Sequence, residues 1–134
     1  MKRYITLALG MLLVVGAVVS LPGCGHDQVL TSITVNPSGA TITGAGVIVN
    51  FQAIGTYIHP PENKDLTNSV VWASVAPQII DFNFVGSTAG QAMSGSGCGS
   101  NIGITATHYS DPQNKSGSVV VGNAVVTVKG NPGC

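Results

Sequence analysis

Charge is what this chain has least of. Only 7% of its 134 residues are Asp, Glu, Lys or Arg, and five cations meet five carboxylates. Two of those cations, Lys2 and Arg3, stand at the extreme N-terminus. The remainder is slightly acidic, so it has no basic face of the kind a nucleic-acid backbone requires. The shortage of Glu and Lys also excludes a coiled coil or a long-helix protein. Cysteine is nearly as scarce, with three residues, and neither Cys98 nor Cys134 has a close Cys or His partner at zinc-ligand spacing. Aromatic residues make up 5% of the chain. Most fall on alternating apolar positions, which leaves little for a sugar-stacking platform.

What is present at the N-terminus reads MKRYITLALGMLLVVGAVVSLPGC. A basic start, the uncharged run Ile5–Leu21 and then small residues follow the order of an export signal. The alternative is an uncleaved anchor. The run lies at the lower edge of what spans a hydrocarbon core, and Pro22-Gly23 breaks a helix there. Leu21-Pro22-Gly23-Cys24 resembles a bacterial lipobox. That resemblance implies a signal peptide over 1–23, cleavage before Cys24 and diacylglycerol on the Cys24 thiol. Residues 24–29 would then tether the lipid to a domain over 30–129, with a short Cys-bearing tail over 130–134. Gly25, in place of Asp, implies the outer membrane in a Gram-negative cell. The membrane is thus one expected partner, through a lipid anchor.

With Cys24 assigned to lipid, Cys98 and Cys134 remain as an even pair in an oxidising compartment. Both lie among Gly and Ser, in GSGCGS and GNPGC. A bridge between them is the expectation, and two free thiols the alternative.

From Leu30 onward the sequence alternates with a period of two between turn residues, which is the half-buried strand signal. The pattern predicts strands over Leu30–Val35, Ala40–Thr43, Val47–Tyr57, Ser69–Val75, Gln78–Val85, Asn101–Tyr109 and Ser118–Val128. A further short one is expected around Gln91–Met93, and a bend at Gly122-Asn123. The segments His59–Asp65 and Gly86–Ser100 are expected as loops. No helical period follows the signal. About seven strands in roughly 100 residues predict an all-β, immunoglobulin-like β-sandwich. Val49, Phe51, Val70, Trp72, Ile104, Ala106 and Val126 fall on the predicted core faces.

The pieces LTSITVNPSGATI, VNFQAIGTY, LTNSVVWASVAP, GITATH and NAVVTVKG, in that order and spacing, resemble the bacterial Ig-like domain, group 2. The most specific part is Thr67-Asn68, then Val70 or Val71, Trp72, Ser74 and Pro77. The longer GSTAGQAMSGSGCGS segment and the two cysteines depart from the family pattern. The resemblance implies a small Ig-like sandwich of the sort carried by bacterial surface proteins. It brings no catalytic residues with it.

The five carboxylates form no close pair in sequence, and no strained Gly-x-Ser-x-Gly turn is present. Glu62, Asn63, Asp65 and Asn68 offer oxygens but lack a calcium-loop register. The residues therefore point to a non-catalytic, lipid-anchored cell-envelope module with a structural or adhesive role, without cofactor or metal. The alternative is a surface lipoprotein that binds a glycan or small ligand. Contact with a protein or cell-surface glycan is expected at His59, Glu62, Asp65 and Tyr109.

Overall fold

The computed structural model describes residues 28–134, apart from 112, 114 and 133 and the side chain of 111. The expected signal peptide and the lipidation site Cys24 lie outside the described residues. Ten strand segments are present: β1 (Val29–Asn36), β2 (Gly39–Thr43), β3 (Ile48–Asn50), β4 (Gln52–Ile58), β5 (Glu62–Asp65), β6 (Val71–Ser74), β7 (Ile80–Asp81), β8 (Gln91–Ser94), β9 (Gly99–Asp111) and β10 (Ser116–Lys129). The described residues are all-β, and their sheets form a sandwich of immunoglobulin-like type.

One layer is a four-stranded sheet in the order β2-β10-β9-β6. Its inward positions follow from period-two alternation. Ile102, Ile104 and Ala106 on β9 and Ala124, Val126 and Val128 on β10 are all buried. The opposing layer comprises β1-β4-β5 and β3-β8-β7. These two pieces meet at Phe51, whose N–H donates to the Gly90 carbonyl at 2.7 Å, while Leu66 N–H donates to the Ala53 carbonyl at 2.7 Å. Thus β3 and β4 are two halves of one track, with β8 and then β5 along the same edge. Gly90 has φ +78°, and a Cβ there would strike the Phe51 carbonyl. Glycine therefore permits this junction.

The turn Asn36-Pro37-Ser38 carries the chain from one layer to the other. β1 pairs antiparallel with β4, whereas β2 pairs parallel with β10 from Gly39↔Val125 to Thr43↔Lys129. The first stretch of chain is thereby hydrogen-bonded into both layers.

Between the layers sits an aromatic cluster. Trp72 stacks on Phe82 with centroids 5.5 Å apart and an interplanar angle of 15°, and Phe51 lies 5.9 Å from Phe82 and 6.1 Å from Trp72. The indole N–H donates to the Thr67 carbonyl at 2.9 Å. Thr67 Oγ1 accepts from Ala53 N–H at 3.1 Å. The Thr67-to-Trp72 spacing thus connects the aromatic core to β4. Phe51, Ile104, Ala106 and Val126 are buried as expected, while Val49, Val70 and Trp72 are half-buried and pack against that core.

Several boundaries differ from the sequence expectation. Val47–Tyr57 is split at Phe51. Gln78–Val85 shrinks to Ile80–Asp81, because Ile79 and Ile80 N–H both turn back to the Ala76 carbonyl and the Asp81 carboxylate takes Asn83 N–H at 2.8 Å. Ile80 and Phe82 keep their buried period of two while the backbone leaves the ladder. Residues 62–65, expected in a loop, form β5, with Asn63 and Lys64 paired to Thr56 and Gly55. β1 opens at Val29, within the stretch expected as tether.

β10 keeps its register with β9 through Gly122↔Ala106 and Asn123↔Thr105, where a bend is expected. Gly122 serves close approach instead. A Cβ there would lie 2.6 Å from Ile33 Cγ2 and 2.8 Å from the Ile33 carbonyl oxygen. β1 therefore closes on β10 along a groove that any side chain would fill.

Two substitutions separate the two kinds of packing. Ile104→Ala should cost about 2–5 kcal/mol by leaving a cavity. Gly122→Ala should cost about 1–3 kcal/mol although it only adds a methyl, because the site has no room for one. Urea unfolding should show both as lower midpoints with an unchanged slope.

Candidate functional site

At one end of the sandwich the layers part into a cleft of about 360 Å³. Leu30 and Tyr57, cross-strand partners on β1 and β4, form one wall. His108 and Val120, partners on β9 and β10, form the other. Gln28, Ser110 and Ser118 supply polar groups around the same opening. The cleft follows from the alternation. Leu30 and Val120 continue the inward rows, but at this end the rows finish in the long polar side chains of Tyr57 and His108.

A small electrostatic cluster borders the cleft. Lys64 Nζ lies 3.3 Å from Glu62 Oε2 and 5.0 Å from the centre of the Tyr57 ring. It also donates to Gln28 Oε1. Gln28 Nε2 in turn donates to Glu62 Oε2 at 3.0 Å. The hydrogen bond from Gln28, then that from Lys64, hold the Glu62 carboxyl below the usual carboxylate range, and the Lys64 charge adds to this. Asp65 is held low by Thr67, through its side chain first, and by Gln52, whose Nε2 donates to Asp65 Oδ2 at 2.8 Å. Thr67 N–H adds a bond to Asp65 Oδ1 at 2.8 Å.

Of the four contact residues read from the sequence, Glu62 is brought to the cleft's edge through Gln28 and Lys64. Asp65 faces Gln52 and Thr67 instead. His59 is exposed in the turn before β5, and Tyr109 stands on β9, opposite Val119 on β10. Glu62 and Asp65 both sit on a paired strand, and their oxygens are engaged by neighbours within the chain. Among the described residues, no three of His, Cys, Asp and Glu gather as a metal site. The cleft presents an aromatic ring, an imidazole, two hydroxyls and an amide against aliphatic walls. This set suits hydrogen bonding to a small neutral polar ligand.

At another part of the structure Cys98 and Cys134 stand at disulfide distance, with Cα atoms 6.0 Å apart. Asn131, only 5% exposed, donates through Nδ2 to the Gly95 and Gly97 carbonyls at 3.0 and 2.8 Å. Ser94, 1% exposed, donates to the Gly44 carbonyl at 2.8 Å and accepts from Val47 N–H at 3.0 Å. Together these groups fix the Gly-rich segment that the sequence presents as an open loop. Neither Ser94 nor Asn131 was singled out in the sequence. The only hint was polarity beside glycine, which is also the mark of a solvated turn.

Two measurements follow. Loss of the cross-link, by reduction or in Cys134→Ser, should lower stability by about 3–4 kcal/mol for a closed loop of this length, visible in urea unfolding. Glu62 and Asp65 have depressed pKa values, so their contribution is complete above the ordinary carboxylate pKa and is lost as pH falls through the lower folded value. Asp65→Asn should therefore be less stable than the parent at neutral pH. The gap should close below the carboxylate range, and thermal unfolding across pH checks it.

No protein-family model and no curated protein matches this chain.

Proposed function

We propose that this chain is a lipid-anchored module of the bacterial cell envelope, an Ig-like sandwich of the group 2 kind, whose role is structural or adhesive contact rather than catalysis. The observation that carries the reading is the Cys98–Cys134 pair at disulfide distance, joining the loop before β9 to the C-terminal tail. A cross-link of this kind is at home in an oxidising compartment. It accounts for both cysteines outside the Leu21-Pro22-Gly23-Cys24 motif and leaves Cys24 for diacylglycerol. Two or more acyl chains would hold the domain firmly, since each buried methylene contributes about 0.8 kcal/mol.

A second reading, binding of a glycan or other small polar ligand, is favoured by the cleft between Tyr57 and His108. In either reading the working surface stands on a β scaffold.

Intact mass of the protein purified from its native membrane tests the anchor and the bridge together. The expected mass is that of residues 24–134 with diacylglycerol and any N-acyl group, rising on reduction by the hydrogens of one disulfide. A mass without lipid would overturn the anchor. An unchanged mass on reduction would overturn the bridge.

A further inference from the structure

Five of the ten large hydrophobic residues exposed among the described residues lie on one surface. Val71, Val75, Val119, Val121 and Val125 all point outward from the β2-β10-β9-β6 sheet, with exposures from 41% to 73%. The register stacks them in rows. Val71, Thr107 and Val121 stand side by side, followed by Ala73, Thr105 and Asn123. In the next row Val75 covers Gly103, where a Cβ would lie 3.3 Å from Val75 Cγ1, and Val125 stands beside them. From the Tyr109–Val119 pair to the Thr41–Thr127 pair the face holds no Asp, Glu, Lys, Arg or His. Glu62, Lys64 and Asp65 belong to β5 and Asp81 to β7, both in the opposite layer. The outward residues of that layer are polar where β1 offers Ser32, Thr34 and Asn36. Over this span the face is free of charge, with Lys129 in the next outward row at its edge, and it is larger than the scattered apolar residues of an ordinary surface.

We infer that this face is the interface of a homodimer, in which two copies pack sheet against sheet. A face without charge meets its own copy with no like-charge repulsion, which a charged patch could not do. Valine and threonine give it shallow, stiff relief suited to the aligned packing of two twisted sheets at about 10 Å. Each outward residue of a sheet, one in two along its strand, covers about 33 Å² of the plane, from strand spacing and rise. The outward positions from Val119 to Thr127 and their partners therefore cover about 450 Å² per copy. Two copies bury about 900 Å² of projected area, and more once side-chain relief is included. This lies among weak, transient interfaces, short of the roughly 1,200 Å² of stable ones. The dimer is therefore concentration-dependent rather than obligate. A two-fold axis through the centre of the face falls beside the Thr105–Asn123 pair, so each copy presents the same residues to the other. The inference does not depend on the lipid anchor.

The test is the polypeptide mass of the full chain in mild non-ionic detergent, by light scattering over a micromolar-to-millimolar series. The expected result is a rise from one polypeptide per particle to two. Val121→Lys and Val121→Glu should each raise the dissociation constant about a hundred-fold or more, because like charges would face each other in a desolvated contact. An equimolar mixture of the two should restore the two-chain particle. Val125→Lys provides a second disruption, and an unchanged thermal transition confirms that each variant is folded. A single polypeptide at every concentration would overturn the inference. So would a two-chain particle that persists in Val121→Lys and Val125→Lys, since association would then run through another segment. Loss of binding to lipid vesicles in these variants without a change of mass would assign the face to a membrane and overturn it as well.

Discussion

The pairing of β9 with β10 is the constraint on which the rest of the structure depends. Its antiparallel register sets Ile104 opposite Ala124 and Ile102 opposite Val126, so two buried rows face the same way. A slip of one residue would turn the buried row of one strand outward while the other stayed inward, and bring that strand's outward residues into the core. The remaining elements attach to this hairpin. β6 adds to β9 and carries Trp72 inward, while β2 adds to the free edge of β10. The opposing layer then closes over the hairpin, and Gly122 sets how near β1 can come.

Polar side chains hold the parts that the hairpin does not reach. Thr67 links the indole of Trp72 to β4 and satisfies Ala53 N–H. Ser94 ties β8 to the turn after β2, and Asn131 ties the C-terminal tail to the segment before Cys98. Each occupies a place where backbone groups leave a ladder and would otherwise be buried without partners. The sandwich is therefore apolar along its middle and hydrogen-bonded at its margins. The cleft near Tyr57 and His108 opens where neither device applies.

The central rows were legible in the sequence, because Ile102-x-Ile104-x-Ala106 and Val126-x-Val128 alternate without interruption. The fold class followed from such runs. Legibility failed where alternation and hydrogen bonding diverge. Ile80 and Phe82 alternate, yet the ladder ends at Asp81, whose side chain takes Asn83 N–H and competes for the backbone. Glu62-Asn63-Lys64-Asp65 carries no apolar signal, yet it pairs with β4, because an edge strand can be stabilised by its ladder and by cross-strand polar contacts. Spacing marks Glu62 as a contact residue, but its tie to Gln28 depends on a non-local approach that spacing does not encode. His108 continues the Ile102-x-Ile104-x-Ala106 alternation, but the cleft it lines is not encoded there, because its opposite wall comes from β1 and β4.

The parallel pairing of β2 with β10 gives the fold a mechanical character. A pull on the chain before Gly39 and after Lys129 draws these two strands lengthwise past each other. The ladder bonds between them are then loaded together, in shear. Antiparallel terminal strands pulled from a shared end would instead unzip one bond after another. Tension applied across those two strands is resisted by a ladder that must yield as a unit.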